Sequence, residues 1–293
     1  MTIASALARE TDSIGLISAS KVEGSACWDT DAIITLLHYN PGMDELPLNG
    51  PVLNSAGTLG FVYNPRLVGG PPPGAFITAP VSRQARSPSA GHRLVAFPGE
   101  FLIHTGLPNP GLRAVIHKYA ERWEKSPIPV IVHLIGENPD DVHQMVLQLE
   151  EVDGVQAIEL GLPPDADGKT TSALVQAASG ELPVIAQLPL MTGHLLAASA
   201  RDAGAAGLSL SAPRGRSAGA DKQSFTGRIY GPAVYPLMLA ALDKLLGLGL
   251  PVLAGGGIER IDQILEVLNF GASAVQLDYA LWRDREFIAL PSP

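Results

Sequence analysis

This sequence predicts an α/β chain closed into a (β/α)8 TIM barrel, and three observations predict it. Eight short runs rich in β-branched residues recur along the chain. Stretches with apolar residues three and four apart, the spacing of a helix with one buried face, separate most of them. The one glycine cluster, Gly255–Gly257, falls at the seventh run. A doubly wound open sheet would want such a cluster after its first strand, so the strand–helix alternation is assigned to a closed cylinder.

The runs, in order, are Pro51–Gly57, Gly74–Val81, Pro129–Ile135, Val155–Leu162, Pro183–Leu190, Gly207–Ser211, Pro251–Gly256 and Ala274–Ala280. Helices are predicted at Gly111–Lys125, Asn138–Glu150, Thr170–Gly180, His194–Ala203, Ala233–Gly247 and Ile261–Phe270, each short enough for a right-handed crossover between parallel strands. Asn64–Gly74 is too rich in Pro and Gly for a regular helix, and Pro80–Gly99 holds His92 and several turn formers, so both read as loops at the start of the barrel. Arg214–Gly231 reads as a second long irregular piece. Residues 1–46, with a helix-like segment at Asp31–His38, read as an N-terminal extension, and 47–293 as the barrel domain.

Of the 293 residues 46% are hydrophobic and 17% charged, against about 25% charged in an average soluble domain, so a large core is expected. Twenty Lys+Arg against 29 Asp+Glu give a net charge of −9, which excludes a global basic field for nucleic acid. The single cysteine, Cys27, cannot close an intrachain disulfide, and the first residues lack the basic start and apolar run of a secretory signal. The protein therefore reads as cytoplasmic. Its most apolar stretch, Val234–Ile258, is broken by Asp243, Lys244 and two prolines, so no membrane span is expected.

A barrel strand buried on both faces should be nearly all apolar, which makes the exceptions informative. His133, Glu159, Gln187, Ser209 and Gln276 each interrupt a hydrophobic run, one apiece in the third, fourth, fifth, sixth and eighth. Facing the same way, they would form a polar ring inside the barrel, near the strand ends where such folds place their active sites. They either satisfy one another as a buried network with no catalytic role or include an acid/base pair in His133 and Glu159. No metal is expected, because one His and one carboxylate fall short of a catalytic zinc set. Gly255, Gly256 and Gly257 expose backbone N–H groups at a barrel position that often binds phosphate, yet Asp278 at the eighth run would repel one. Arg214, Arg216, Lys222 and Arg228 make the piece after the sixth run locally basic, suited to an anionic ligand or simply solvated.

Five segments carry a family resemblance: LPLNGPVLNSAGTLGF (Leu46–Phe61), GLPNPGLRAVI (Gly106–Ile116), PVIVHLIGENPDDV (Pro129–Val142), YGPAVYPLML (Tyr230–Leu239) and PVLAGGGIERIDQILEVLNFGASAVQLDYAL (Pro251–Leu281). In order and spacing they resemble the class 1 dihydroorotate dehydrogenases. The resemblance implies an FMN-dependent barrel, with Ser55, Ala56, Gly57, Asn109, Gly231, Gly256 and Gly257 matching the flavin-side positions. Where the family carries an asparagine and then Ser-Cys-Pro-Asn, this chain reads Gly161-Leu162-Pro163-Pro164-Asp165, which removes the base cysteine. The family's flavin-side lysines stand as Ala79 and Gln187, and its Gly-Thr pair at the eighth strand as Asp278-Tyr279. Two functions follow from the resemblance. One is a dihydroorotate dehydrogenase-like, FMN-dependent oxidoreductase acting on an altered small-molecule substrate, with His133 and Glu159 replacing the lost base and Gln187 beside the flavin. The other is a non-catalytic barrel of the same type serving as an interaction or assembly subunit, through a homodimer or its N-terminal extension.

Overall fold

A computed structural model describes residues 46–66, 72–91, 93–219 and 221–283. In chain order the strands are β1 (Val52–Asn54), β2 (Phe76–Ile77), β3 (Leu94–Phe97), β4 (Glu100–Ile103), β5 (Val130–Ile135) and β6 (Val155–Gly161), then β7 (Val184–Pro189), β8 (Gly207–Ser211), β9 (Arg214–Ala218), β10 (Ser224–Tyr230), β11 (Val252–Gly255) and β12 (Ala274–Leu277). The helices are α1 (Leu112–Glu124), α2 (Pro139–Glu150), α3 (Gly168–Ala178), α4 (Ala197–Asp202), α5 (Val234–Asp243), α6 (Ile261–Phe270) and α7 (Tyr279–Arg283). The helix-like segment at Asp31–His38, Cys27 and His92 lie outside the described residues.

Each of the eight runs supplies one strand of a single parallel sheet, ordered β1-β12-β11-β8-β7-β6-β5-β2. Alternation along the strands divides the core in two. Leu53, Ile77, Ile131, Ala157, Ile185, Leu253 and Ala274 point inward and pack together, with Leu46 joining them. The intervening residues, Val52, Phe76, Val130, Val132, Ile158 and Leu160 among them, face outward onto Trp123 of α1, Met145 and Leu149 of α2, and Leu174 of α3. Two shells of apolar contact, one inside the cylinder and one beneath the helices, account for the low charge content. The helices start where side chains can cap them: Asn138 accepts from the Asp140 N–H at 2.9 Å and Asp167 from the Thr170 N–H at 2.7 Å.

The cylinder's ends, β1 and β2, are joined by a side chain. Asn54 Nδ2 donates to the Ile77 carbonyl at 2.7 Å, and the Ile77 N–H donates to Asn54 Oδ1 at 3.0 Å. At the other end of this seam the Gly74 N–H donates to the Val52 carbonyl at 2.8 Å. Asn54 is fully buried, so truncating it strands both backbone groups of Ile77 away from water. Asn54→Ala is expected to cost about 2 kcal/mol in a urea unfolding experiment. A loss within experimental error would show that the seam does not depend on this amide.

Two segments expected as loops are strands. Leu94–Phe97 within Pro80–Gly99, and most of Arg214–Gly231, join an antiparallel sheet of four strands, β3-β4-β10-β9. The expectation failed because β3 is short and half-exposed, while β9 and β10 carry arginine and glycine where β-branched residues were sought; the β9 burial alternates between exposed and intermediate. The Pro98-Gly99 turn between β3 and β4, with Gly99 at φ 77°, was a hairpin signal read only as a loop. The run Ala274–Ala280 also ends early, because Tyr279 already begins α7. No helix among the described residues is long and apolar enough to cross a membrane.

Candidate functional site

The five polar interruptions converge on one carboxylate. His133, Glu159, Gln187, Ser209 and Gln276 sit two residues further along their strands than the inner apolar layer, on the same inward face. His133 Nδ1 lies 2.6 Å from Glu159 Oε2, Ser209 Oγ donates to Oε1 at 2.7 Å, and Gln276 Nε2 donates to Oε1 at 2.6 Å. Gln187 Nε2 makes a longer contact of 3.4 Å to Oε2. Gly161 makes room for the imidazole, since a Cβ there would lie 2.9 Å from His133 Nε2. Burial pushes the Glu159 carboxyl up, but the hydrogen bond and charge of His133, with the bonds from Ser209 and Gln276, outweigh it and hold the carboxyl below its ordinary range.

Above this layer, at the C-terminal ends of the strands, lies a cavity of about 20 Å³ lined by Ser55, Ala56, Gln187, Arg228, Gln276 and Asp278, with Ser211 and Tyr230 beside them. Gln276 Oε1 is buried and has no hydrogen-bond partner among the described residues. Tyr230 belongs to an aromatic cluster in which its ring centroid is 4.7 Å from Trp282 and 5.5 Å from Phe101, and Phe101 also touches Tyr279. This cluster is built from β4, β10 and α7, so the four-stranded sheet contributes directly to the closure of the mouth. Arg214 and Arg228 stand opposite each other in the β9–β10 register. Burial first, and the neighbouring Arg228 charge second, pull the Arg214 guanidinium below its ordinary value, while Asp165 opposes them.

The residues expected around a flavin fall into two groups. Ser55, Ala56 and Gln187 reach the cavity; His133, Glu159, Gly57 and Asn109 are not among its lining. Asn109 is occupied in holding its own loop: its Oδ1 accepts from the Ser82 N–H at 3.2 Å and the Gly111 N–H at 3.0 Å, and its Nδ2 donates to the Leu107 carbonyl. Gly231, at φ 141°, turns the chain from β10 into α5 where a Cβ would lie 2.6 Å from the Gly99 carbonyl oxygen. Gly256 and Gly257, at φ 128° and 72°, end β11 against the start of α5. The sequence singles out neither Ser211, at the end of the sixth run, nor Tyr230, within the irregular piece Arg214–Gly231, as a site residue. Tyr230 could have been found from the alternation of Arg228 and Tyr230 in one strand, which points both side chains the same way.

These residues do not fit a flavin mononucleotide. A cavity of about 20 Å³ leaves room for roughly one water. The Asp278 carboxylate takes the Tyr279 N–H, beside the Gly257 turn where a phosphate would bind. Neither Ala79 nor Gln187 can supply the positive charge that stabilises a reduced flavin.

A single eight-stranded parallel barrel with an antiparallel sheet over its mouth defines the class: a TIM barrel of the dihydroorotate dehydrogenase type. No family model matches the chain. Curated relatives do. It is 30% identical over 259 residues to the protein of Desulforudis audaxviator named dihydroorotate dehydrogenase B (NAD(+)), catalytic subunit, covering 80% of this chain and 84% of the relative. The proteins of the same name from Desulforamulus reducens and Enterococcus faecalis are 28% and 26% identical, covering 80% and 82% of this chain and 85% and 84% of theirs. The chain belongs to the dihydroorotate dehydrogenase family.

Proposed function

We propose that this protein is a dihydroorotate dehydrogenase-like barrel that has left flavin chemistry and serves as a non-catalytic interaction or assembly subunit in the cytoplasm. The observation that carries this reading is the mouth, where an aromatic cluster stands beside a cavity of about 20 Å³. Glu159 is fully buried and takes side-chain contacts from His133, Ser209, Gln276 and Gln187, which is how a buried charge is made tolerable without any ligand. The relatives are each named a catalytic subunit: the word subunit supports an assembly role here, and the word catalytic supports the oxidoreductase reading. A homodimer, or a partner bound through residues 1–46, is the form of assembly we propose.

A second reading, an FMN-dependent oxidoreductase with an altered substrate, is favoured by one observation: the 2.6 Å contact between His133 and Glu159 is the geometry of an imidazole oriented by a carboxylate. Against it, both side chains are at most 1% exposed, and neither lines the mouth cavity. An absorbance spectrum of the native protein decides between the two. The first reading expects a colourless protein with no dihydroorotate-dependent reduction of an electron acceptor. Stoichiometric flavin absorbance would overturn it, and a native mass equal to one chain at every concentration, with or without cell extract, would remove the assembly role.

A further inference from the structure

We propose that Asp278 is an internal anion: its carboxylate occupies the phosphate seat formed by the Gly256–Gly257 turn and the Tyr279 N–H, so this barrel shuts out phosphate-bearing ligands by filling the seat itself. The inference rests on the reading above, and extends it from the absence of flavin chemistry to the residue that enforces it.

The seat has the construction of an anion site. It stands at the ends of β11 and β12, the seventh and eighth strands of the barrel, where this fold commonly gathers backbone N–H groups for a phosphate. Gly256 and Gly257 both have positive φ, and side chains are excluded there: a Cβ on Gly257 would lie 2.4 Å from Tyr235 N, and one on Gly256 would lie 2.9 Å from Val234 Cγ1. Into this bare turn comes Asp278, 5% exposed, accepting from the Tyr279 N–H at 2.5 Å, with the Gly257 N–H close enough to favour its charged form.

Helix capping does not explain the contact. A capping aspartate accepts from the second or third N–H of its helix, whereas the Leu281 N–H goes to the Asp278 main-chain carbonyl at 3.1 Å. The side chain instead reaches across to a different strand end. It makes no salt bridge among the described residues, so it is held by N–H groups alone, as a bound oxyanion would be. Burial pushes the carboxyl up to about 6, and the N–H groups of Tyr279 and Gly257 pull against that shift by favouring the charged form. Asp278 and the 1% exposed Gln276, whose Oε1 has no partner among the described residues, both line the mouth cavity, so a polar group beside Asp278 is left open to a ligand.

Inorganic phosphate is the probe. Calorimetric titration of the wild-type chain is expected to give no saturable binding, and Asp278→Gly is expected to gain it, at least about tenfold tighter than any wild-type signal. Asp278→Asn, whose amide oxygen still takes both N–H groups, should stay with the wild type. Equal titrations for wild type and Asp278→Gly, or phosphate binding by Asp278→Asn as tight as by Asp278→Gly, would overturn the proposal. Should Asp278→Gly fail to fold, the wild type carries the test: the amide protons of Gly257 and Tyr279 are expected to shift with one common midpoint as the carboxyl titrates, and their indifference to pH would refute the seat. A flavin-loaded wild type sinks the functional reading; a colourless wild type with a phosphate-blind Asp278→Gly sinks this inference alone.

Discussion

Glu159→Ala is expected to lower the free energy of unfolding by about 3–5 kcal/mol, read as a large fall in the urea midpoint. The size follows from what remains behind. With the carboxylate gone, His133, Ser209 and Gln276 lose a partner at 2.6–2.7 Å, and all three side chains are 1% exposed or less. Each stranded polar group costs about 1–3 kcal/mol, and a cavity is added to that. Glu159→Gln tests charge apart from volume. It keeps the shape, turns one oxygen into a donor that faces donors, and should fall between the wild type and Ala. The pH sense is fixed by the lowered carboxyl: its stabilising contribution is present above the ordinary carboxylate range and is lost as pH falls through the native value. A Glu159→Ala protein within about 1 kcal/mol of wild type would show that the barrel interior does not depend on this network.

Asp278→Asn is expected to act in the opposite direction, raising stability near neutral pH by about 3 kcal/mol. Burial lifts this carboxyl from an ordinary 3.8 to about 6, with the N–H groups of Tyr279 and Gly257 pulling the other way. A group whose native value is raised contributes its stability in full below the unfolded value, and that contribution disappears as pH rises through the native one. The wild-type unfolding free energy should therefore decline between about pH 4 and just above pH 6 by roughly 3 kcal/mol. The carboxamide does not ionise and still offers an oxygen to the same donors, so the decline should vanish in the variant. Urea midpoints at about pH 4, 6 and 8 for both proteins check this. A variant with the wild-type slope would place the pH dependence on other groups.

The barrel was legible because its signal is local. Each parallel strand, buried on both faces, must be a short β-branched run, and each crossover must show helical spacing, so counting runs found all eight strands of the parallel sheet. The polar layer was legible for the same reason: a Glu or Gln in such a run has to find a partner, and the five exceptions found one another. What escaped was non-local or weakly patterned. The strands at Leu94–Phe97 and Arg214–Ala218 are part-exposed, so their composition follows solvent and charge more than pairing. Asn54 is also a polar residue in a buried run, yet its use in closing the seam depends on which two strands meet, which spacing does not tell. Asp278 was noticed as a repulsive neighbour for a phosphate; that it sits in the phosphate's place required the turn of Gly256 and Gly257 in three dimensions.

The sheet over the mouth is made from two excursions that leave the barrel far apart in the chain, one after β2 and one after β8. Its central pairing sets Leu102 beside Ile229 and Phe101 beside Tyr230, so most of the polypeptide must be synthesised and brought into register before the cover exists. Contacts of such long sequence separation form late, since the entropy of closing the intervening loop is met first. The pairing of β1 with β12, which sets Val52 beside Val275, spans more chain still, so the cover and the closing of the cylinder both wait on the C-terminal part of the polypeptide.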